Sequence, residues 1–131
     1  MGQEHISYIL GYSSQIQIDY LCDPFEQSLE IANQIIKDFS GDPLTQIHEP
    51  LLLRNEKELL LHVESIDLLV IASPNYLHTP SLLKWGLHDL TILVEKPISV
   101  SRDQHEELRA LSSSKDWKAR IWTGKLDEAA I

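Results

Sequence analysis

The sequence has a single cysteine, Cys22, among 131 residues, so no internal disulfide can form. A reducing compartment is the simplest fit, and the expected location is cytoplasmic. Long apolar runs are also lacking. The longest, Leu68-Leu69-Val70-Ile71-Ala72, is bounded by Asp67 and Ser73, far short of the ~20 residues a membrane helix needs. No basic segment followed by an apolar one stands at the N-terminus, which predicts no signal peptide. Met1-Gly2 opens like a myristoylation signal, but Ile6 replaces the Ser or Thr that signal requires. Positive charge is scarce: 11 Lys and Arg stand against 20 Asp and Glu, a net charge of −9. A general nucleic-acid surface needs a basic footprint and is excluded. An anionic cofactor is not, since backbone N–H groups can hold phosphate. The six histidines show no His-x-x-x-His spacing, and no metal site is expected.

What is present is ordinary globular material, 43% hydrophobic and 24% charged, enough for one domain with its own core. Helices and strands alternate. Residues 3–10 are helix-compatible and end at Gly11. Ile16 to Cys22 alternates and then turns apolar, as a strand does. Asp23-Pro24 with Glu26 makes a helix start, with Asp23 as cap and Pro24 in the first turn. Phe25, Leu29, Ala32, Ile35, Ile36 and Phe39 then recur at helical spacing. Gly41-Asp42-Pro43 is a loop.

Leu51-Leu52-Leu53 is a short strand, placed by Pro50 at an edge or a strand start. Asn55 and Glu58 cap a helix running to about Val63. Ile66 to Ala72 is the clearest buried strand. Thr79-Pro80 opens a helix closed by Gly86. Thr91 to Val94 is another buried strand. Ser101 and Gln104 cap a helix to about Ser112, and Trp117 to Thr123 forms a last strand. Apolar strands alternating with helices indicate an α/β fold built on a parallel sheet.

Open parallel sheets bind ligands beyond the carboxyl ends of their strands. Three such ends carry polar residues: Cys22-Asp23, Ser73-Pro74-Asn75 and Glu95-Lys96-Pro97. They are expected to converge on one crevice. Asp23 serves as a helix cap, as an acceptor for adenosine ribose hydroxyls, or as both. In the second role it repels a 2′-phosphate and favours NAD over NADP. Pro74 stiffens a strand-to-helix turn, Asn75 presents an amide, and His78 stands near the helix start. These residues read either as an ordinary turn or as a hydrogen-bonding site. Glu95-Lys96 places an acid and a base side by side at the mouth of a buried strand, where both are expected to be partly desolvated. Alone, this pair also fits a surface ion pair. Pro97 makes the turn rigid, with a cis bond open to it.

Taken together, Ile71-Ala72-Ser73-Pro74-Asn75-x-x-His78-Thr79-Pro80 followed by Val94-Glu95-Lys96-Pro97-Ile98-Ser99 resembles the glucose–fructose oxidoreductase/inositol dehydrogenase (Gfo/Idh/MocA) family. The resemblance runs from Gly2 to about Ser112. It implies a Rossmann-like parallel sheet with helices on both faces. It also implies NAD or NADP as cofactor, and hydride transfer at the CH–OH groups of sugars, polyols or related small molecules. By resemblance, Gly2 corresponds to the third glycine of the glycine-rich turn, with Asp23 as the ribose acid. Ser73, Pro74, Asn75 and His78 lie on the nicotinamide ribose side. Glu95 and Lys96 belong to the Glu-Lys-Pro motif, whose lysine contacts cofactor and substrate and assists proton movement. Lys96 is the catalytic candidate.

The sequence departs from the family at both ends. It starts at the third glycine, so the first strand and two glycines of the phosphate-binding turn are not represented. In the strand order 3-2-1-4-5-6 this leaves strands 2 and 4 with unpaired edges. Residues 1–114 then form a partial NAD(P)-binding domain and 115–131 a divergent tail, with the substrate domain absent. The expectation is a fragment or short isoform, inactive alone, with the dinucleotide as its ligand. The alternative is a non-enzymatic module that pairs through its open edges with a full-length subunit or with another copy of itself.

Overall fold

The computed structural model describes residues 2–11, 15–39 and 48–123. The chain divides into two compact units, residues 1–63 and 64–131.

The first unit opens with helix α1 (Gly2–Leu10), followed by strand β1 (Tyr20–Cys22), helix α2 (Glu26–Asp38), strand β2 (Leu51–Leu53) and the short helix α3 (Glu56–Leu60). β1 and β2 run parallel, with Tyr20, Leu21 and Cys22 opposite Leu51, Leu52 and Leu53. Ile6 and Leu10 of α1 bury against Ile36 of α2. Ile18, Leu21, Ala32, Ile35 and Phe39 pack around them, so the helical spacing in α2 does serve a core. Asn55 caps α3 as expected. Its Oδ1 accepts from the Glu58 N–H at 2.9 Å, and its Nδ2 donates to Glu58 Oε1 at 2.9 Å.

Two expectations change here. The strand expected from Ile16 pairs only over Tyr20–Cys22, because β2 offers only three residues to pair with. The α2 cap also differs. The helix begins at Glu26 with Phe25 in the capping position, and no side chain caps it. Asp23 Oδ1 instead accepts from the Phe25 N–H at 2.8 Å, two residues downstream, as in an Asx-turn.

The second unit holds a three-stranded parallel sheet in the order β3 (Leu68–Ile71), β4 (Thr91–Val94), β5 (Arg120–Thr123). Helix α4 (His78–Trp85) follows β3 after a 3₁₀ turn at Asn75–Leu77, and α5 (Arg102–Ser112) follows β4. The most buried strand is β4 rather than β3. Ile92, Leu93 and Val94 are buried, whereas in β3 only Ile71 is. β4 has a neighbour on each side, and among the described residues β3 pairs with β4 alone. Leu82, Trp85 and Leu90 complete this core. Each such side chain contributes about 1.5–3 kcal/mol on burial. Ser101 caps α5, its Oγ accepting from the Gln104 N–H at 3.1 Å.

Among the described residues, β1 therefore pairs only with β2, and β3 only with β4.

Candidate dinucleotide site

In the second unit, β3 and β4 end side by side, with Ile71 opposite Val94. The Glu95 N–H continues the ladder to the Ile71 carbonyl at 3.2 Å. The segments Ser73–Leu77 and Glu95–Val100 thus leave neighbouring strands at their carboxyl ends, the position where open α/β sheets receive ligands.

The two members of the acid–base pair have different surroundings. Glu95 is buried and Lys96 is exposed. Burial, expected in part for both, is found at Glu95 alone. The Lys96–Pro97 peptide is cis. Pro74 and Asn75 are exposed. Ser73 Oγ is buried without a hydrogen-bond partner.

His78 lies beneath these loops, with 0% of its surface exposed. Its Nδ1 is 2.7 Å from the Pro97 carbonyl oxygen and its Nε2 is 2.8 Å from that of Ser73. Carbonyls only accept, so the ring nitrogens are the donors here, and which of them donates depends on the tautomer. The next residue, Thr79, donates its hydroxyl to the Ile98 carbonyl at 2.7 Å. Gln104 of α5 forms a second link. Its Oε1 accepts from the Val100 N–H at 3.0 Å, and its Nε2 donates to the Tyr76 carbonyl at 3.3 Å. Sequence reasoning saw Gln104 only as a cap residue and did not mark Thr79 as part of a site. A cap pattern announces a Gln104 side chain that reaches back before its helix, but no local pattern announces the bonds to Tyr76 and Ile98, 28 and 19 residues away.

The first unit carries Gly2, which opens α1, and Asp23, which follows β1. Arg54, just past β2, donates from Nε and Nη2 to the Pro24 carbonyl at 3.0 and 2.8 Å. It holds the turn that carries Asp23, a link invisible in sequence because it spans 30 residues. The Cys22 thiol is pushed up from 9.0 to about 11, first by burial and then by the carboxylates of Glu56, Asp23 and Glu58. Among the described residues, no group of three His, Cys, Asp or Glu side chains could hold a metal ion. No helix among them is long and apolar enough to cross a membrane.

The family model for oxidoreductases with an NAD-binding Rossmann fold matches residues 1–121. The chain belongs to this Gfo/Idh/MocA family. Parallel sheets interleaved with helices agree with its Rossmann-like fold, and membership implies a nicotinamide dinucleotide as cofactor. A crystal structure of a protein from Bacteroides fragilis NCTC 9343, assigned as an oxidoreductase, is similar in fold. The TM-score is 0.59 at 22% identity, over 92% of this chain and 31% of that one. This chain therefore spans about a third of that protein's length. No curated protein matches it.

The second unit's residues fit part of such a cofactor. An unpaired buried hydroxyl at Ser73, an exposed amide at Asn75 and an exposed ammonium at Lys96 stand at the ends of two adjacent strands. All three can donate to ribose or carboxamide oxygens.

Proposed function

We propose that this chain is the cofactor-binding portion of an NAD-dependent dehydrogenase acting on CH–OH groups of sugars, polyols or related small molecules. The observation that carries the reading is the placement of Ser73 and Lys96 at the adjoining carboxyl ends of β3 and β4.

Bound there, the dinucleotide would supply the hydride acceptor. The chain's own residues do the rest. Ser73 Oγ and the Asn75 amide donate to the cofactor's nicotinamide end. Pro74 keeps their turn stiff. Lys96 Nζ donates to a ribose hydroxyl and to the substrate carbinol oxygen, and it takes up or passes on the carbinol proton. Glu95, buried behind it, belongs to the strand exit that sets the lysine's direction. By the family resemblance, Gly2 at the start of α1 corresponds to the third glycine of the phosphate-binding turn. The carboxylate of Asp23 receives the adenosine ribose diol and disfavours a 2′-phosphate, so NAD is the preferred cofactor. Alone, the chain binds the cofactor without turning over a substrate.

The single-neighbour strands β1 and β3 favour a second reading, a binding module that adds to a full-length subunit of the same family. Co-expression with such a subunit followed by size exclusion decides this one, and two independent peaks count against it.

The first reading is tested by titrating the purified chain with NADH and NADPH, following tryptophan fluorescence with circular dichroism as the folding control. Saturable binding, tighter for NADH, is expected. A folded chain that binds neither would overturn it.

A further inference from the structure

Two side chains each join the loop after β3 to the loop after β4. His78 lies within hydrogen-bond distance of the Ser73 carbonyl on one loop and the Pro97 carbonyl on the other. Gln104 donates to the Tyr76 carbonyl on the first loop and accepts from the Val100 N–H on the second. His78 does this from a buried place at the head of α4, and Gln104 from a half-buried one in the first turn of α5. Thr79, 1% exposed, adds a bond to the Ile98 carbonyl. Three of the four residues that follow Lys96 are thus tied down, although the loop lies outside regular secondary structure.

The arrangement is more specific than loop satisfaction requires. An exposed loop can turn its carbonyls to water. Here two helices each send one side chain across both loops, so neither loop can shift without breaking bonds to the other. Lys96 itself is exposed and carries a long flexible stem. Its reach is set by its backbone, and the following residue, Pro97, is held by His78. A displacement of about 1 Å at a site residue can cost on the order of 100-fold in rate.

We propose that His78 and Gln104 are positioning residues, which fix the loop bearing Ser73 and Asn75 against the loop bearing Lys96, with Thr79 as a third anchor. His78, 0% exposed, acts through the loops it holds. The inference rests on the dinucleotide reading above for its consequence, but not for the tie itself.

The test uses the full chain and the variants Gln104→Met, Thr79→Val, Thr79→Ser and His78→Gln. Gln104→Met is the variant least able to harm folding, since the position is only half-buried, unlike His78 and Thr79, and methionine is as good a helix former as glutamine. Backbone order is read without ligand, from ¹⁵N relaxation at Lys96, Ile98 and Asn75. Binding is read separately by NADH titration, and stability by denaturant midpoint. Wild type and Thr79→Ser should show order parameters near ~0.85 at these amides, and the other variants should fall toward about 0.6 or below. NADH should bind roughly tenfold more weakly to Gln104→Met and Thr79→Val than to wild type, with Thr79→Ser within about twofold of it. The Gln104→Met midpoint should stay near wild type. Unchanged order in Gln104→Met and Thr79→Val would overturn the proposal. So would a lowered midpoint with unchanged order and affinity, the mark of a purely structural role. If wild type binds no NADH, the dinucleotide reading fails, and the order parameters still decide the tie.

Discussion

The benzo ring of Trp117 occupies the space that a Cβ on Gly86 would need. Gly86 closes α4, and its carbonyl accepts from the N–H groups of Lys118 and Ala119 at 2.8 and 3.0 Å. Trp117 Nε1 donates to the Ala119 carbonyl at 2.9 Å, so the ring is held where it sits. Gly86 has an ordinary helical φ of −63°, and the close approach alone calls for glycine. Gly86→Ala should cost about 1–3 kcal/mol by overpacking. Adding Trp117→Leu should recover part of that loss in chemical denaturation. A Gly86→Ala midpoint equal to wild type would show that the ring yields freely.

Lys96 is exposed, so its removal should leave the fold intact, within about 0.5 kcal/mol. Lys96→Ala removes a charge-assisted donor worth about 1.5–3 kcal/mol. NADH affinity should therefore fall roughly ten- to a hundredfold. Circular dichroism and fluorescence titration together check this. Equal loss of folding and binding would deny the lysine a site role.

Asp23→Asn separates charge from turn geometry. Asparagine keeps an oxygen to accept from the Phe25 N–H, the bond that shapes the turn. The negative charge is lost. A like-charge repulsion of about 1 kcal/mol at contact distance is then relieved for a 2′-phosphate. The preference for NADH over NADPH should shrink several-fold toward parity in paired titrations. An unchanged ratio would place the adenosine ribose elsewhere.

Cys22 should respond slowly to alkylation below pH 9. Its thiol is pushed up to about 11 by burial and by Glu56, Asp23 and Glu58, and the thiolate is the reactive form. The iodoacetamide rate should rise with a midpoint near about 11 instead of 9.0. The same shift enters stability. The unfolded chain ionises first as pH rises past 9.0, so the contribution is fully present below that value and lost by about 11. Glu56→Gln should move the midpoint down. A midpoint at 9.0 in the folded chain would contradict the burial.

The sequence by itself determined the order of elements and their parallel pairing. Apolar runs such as Thr91–Val94 can be satisfied only between neighbours, and the caps at Asn55 and Ser101 are local, closed within three residues. It also marked the strand ends at Asp23, Ser73 and Lys96 as candidate places for chemistry, because open parallel sheets receive ligands beyond the carboxyl ends of their strands. The tertiary structure decided the rest. It made β4 the buried strand, since only pairing on both sides excludes water, and it ended β1 where β2 ran out. It turned Asp23 from a helix cap into an acceptor for Phe25, separated a buried Glu95 from an exposed Lys96, and placed His78 beneath two loops. The contacts that decided these points, Arg54 to Pro24, His78 to Pro97 and Gln104 to Tyr76, join residues 19 to 30 positions apart. No periodicity or local motif encodes a hydrogen bond at that separation, because its partners meet only once the strands have paired.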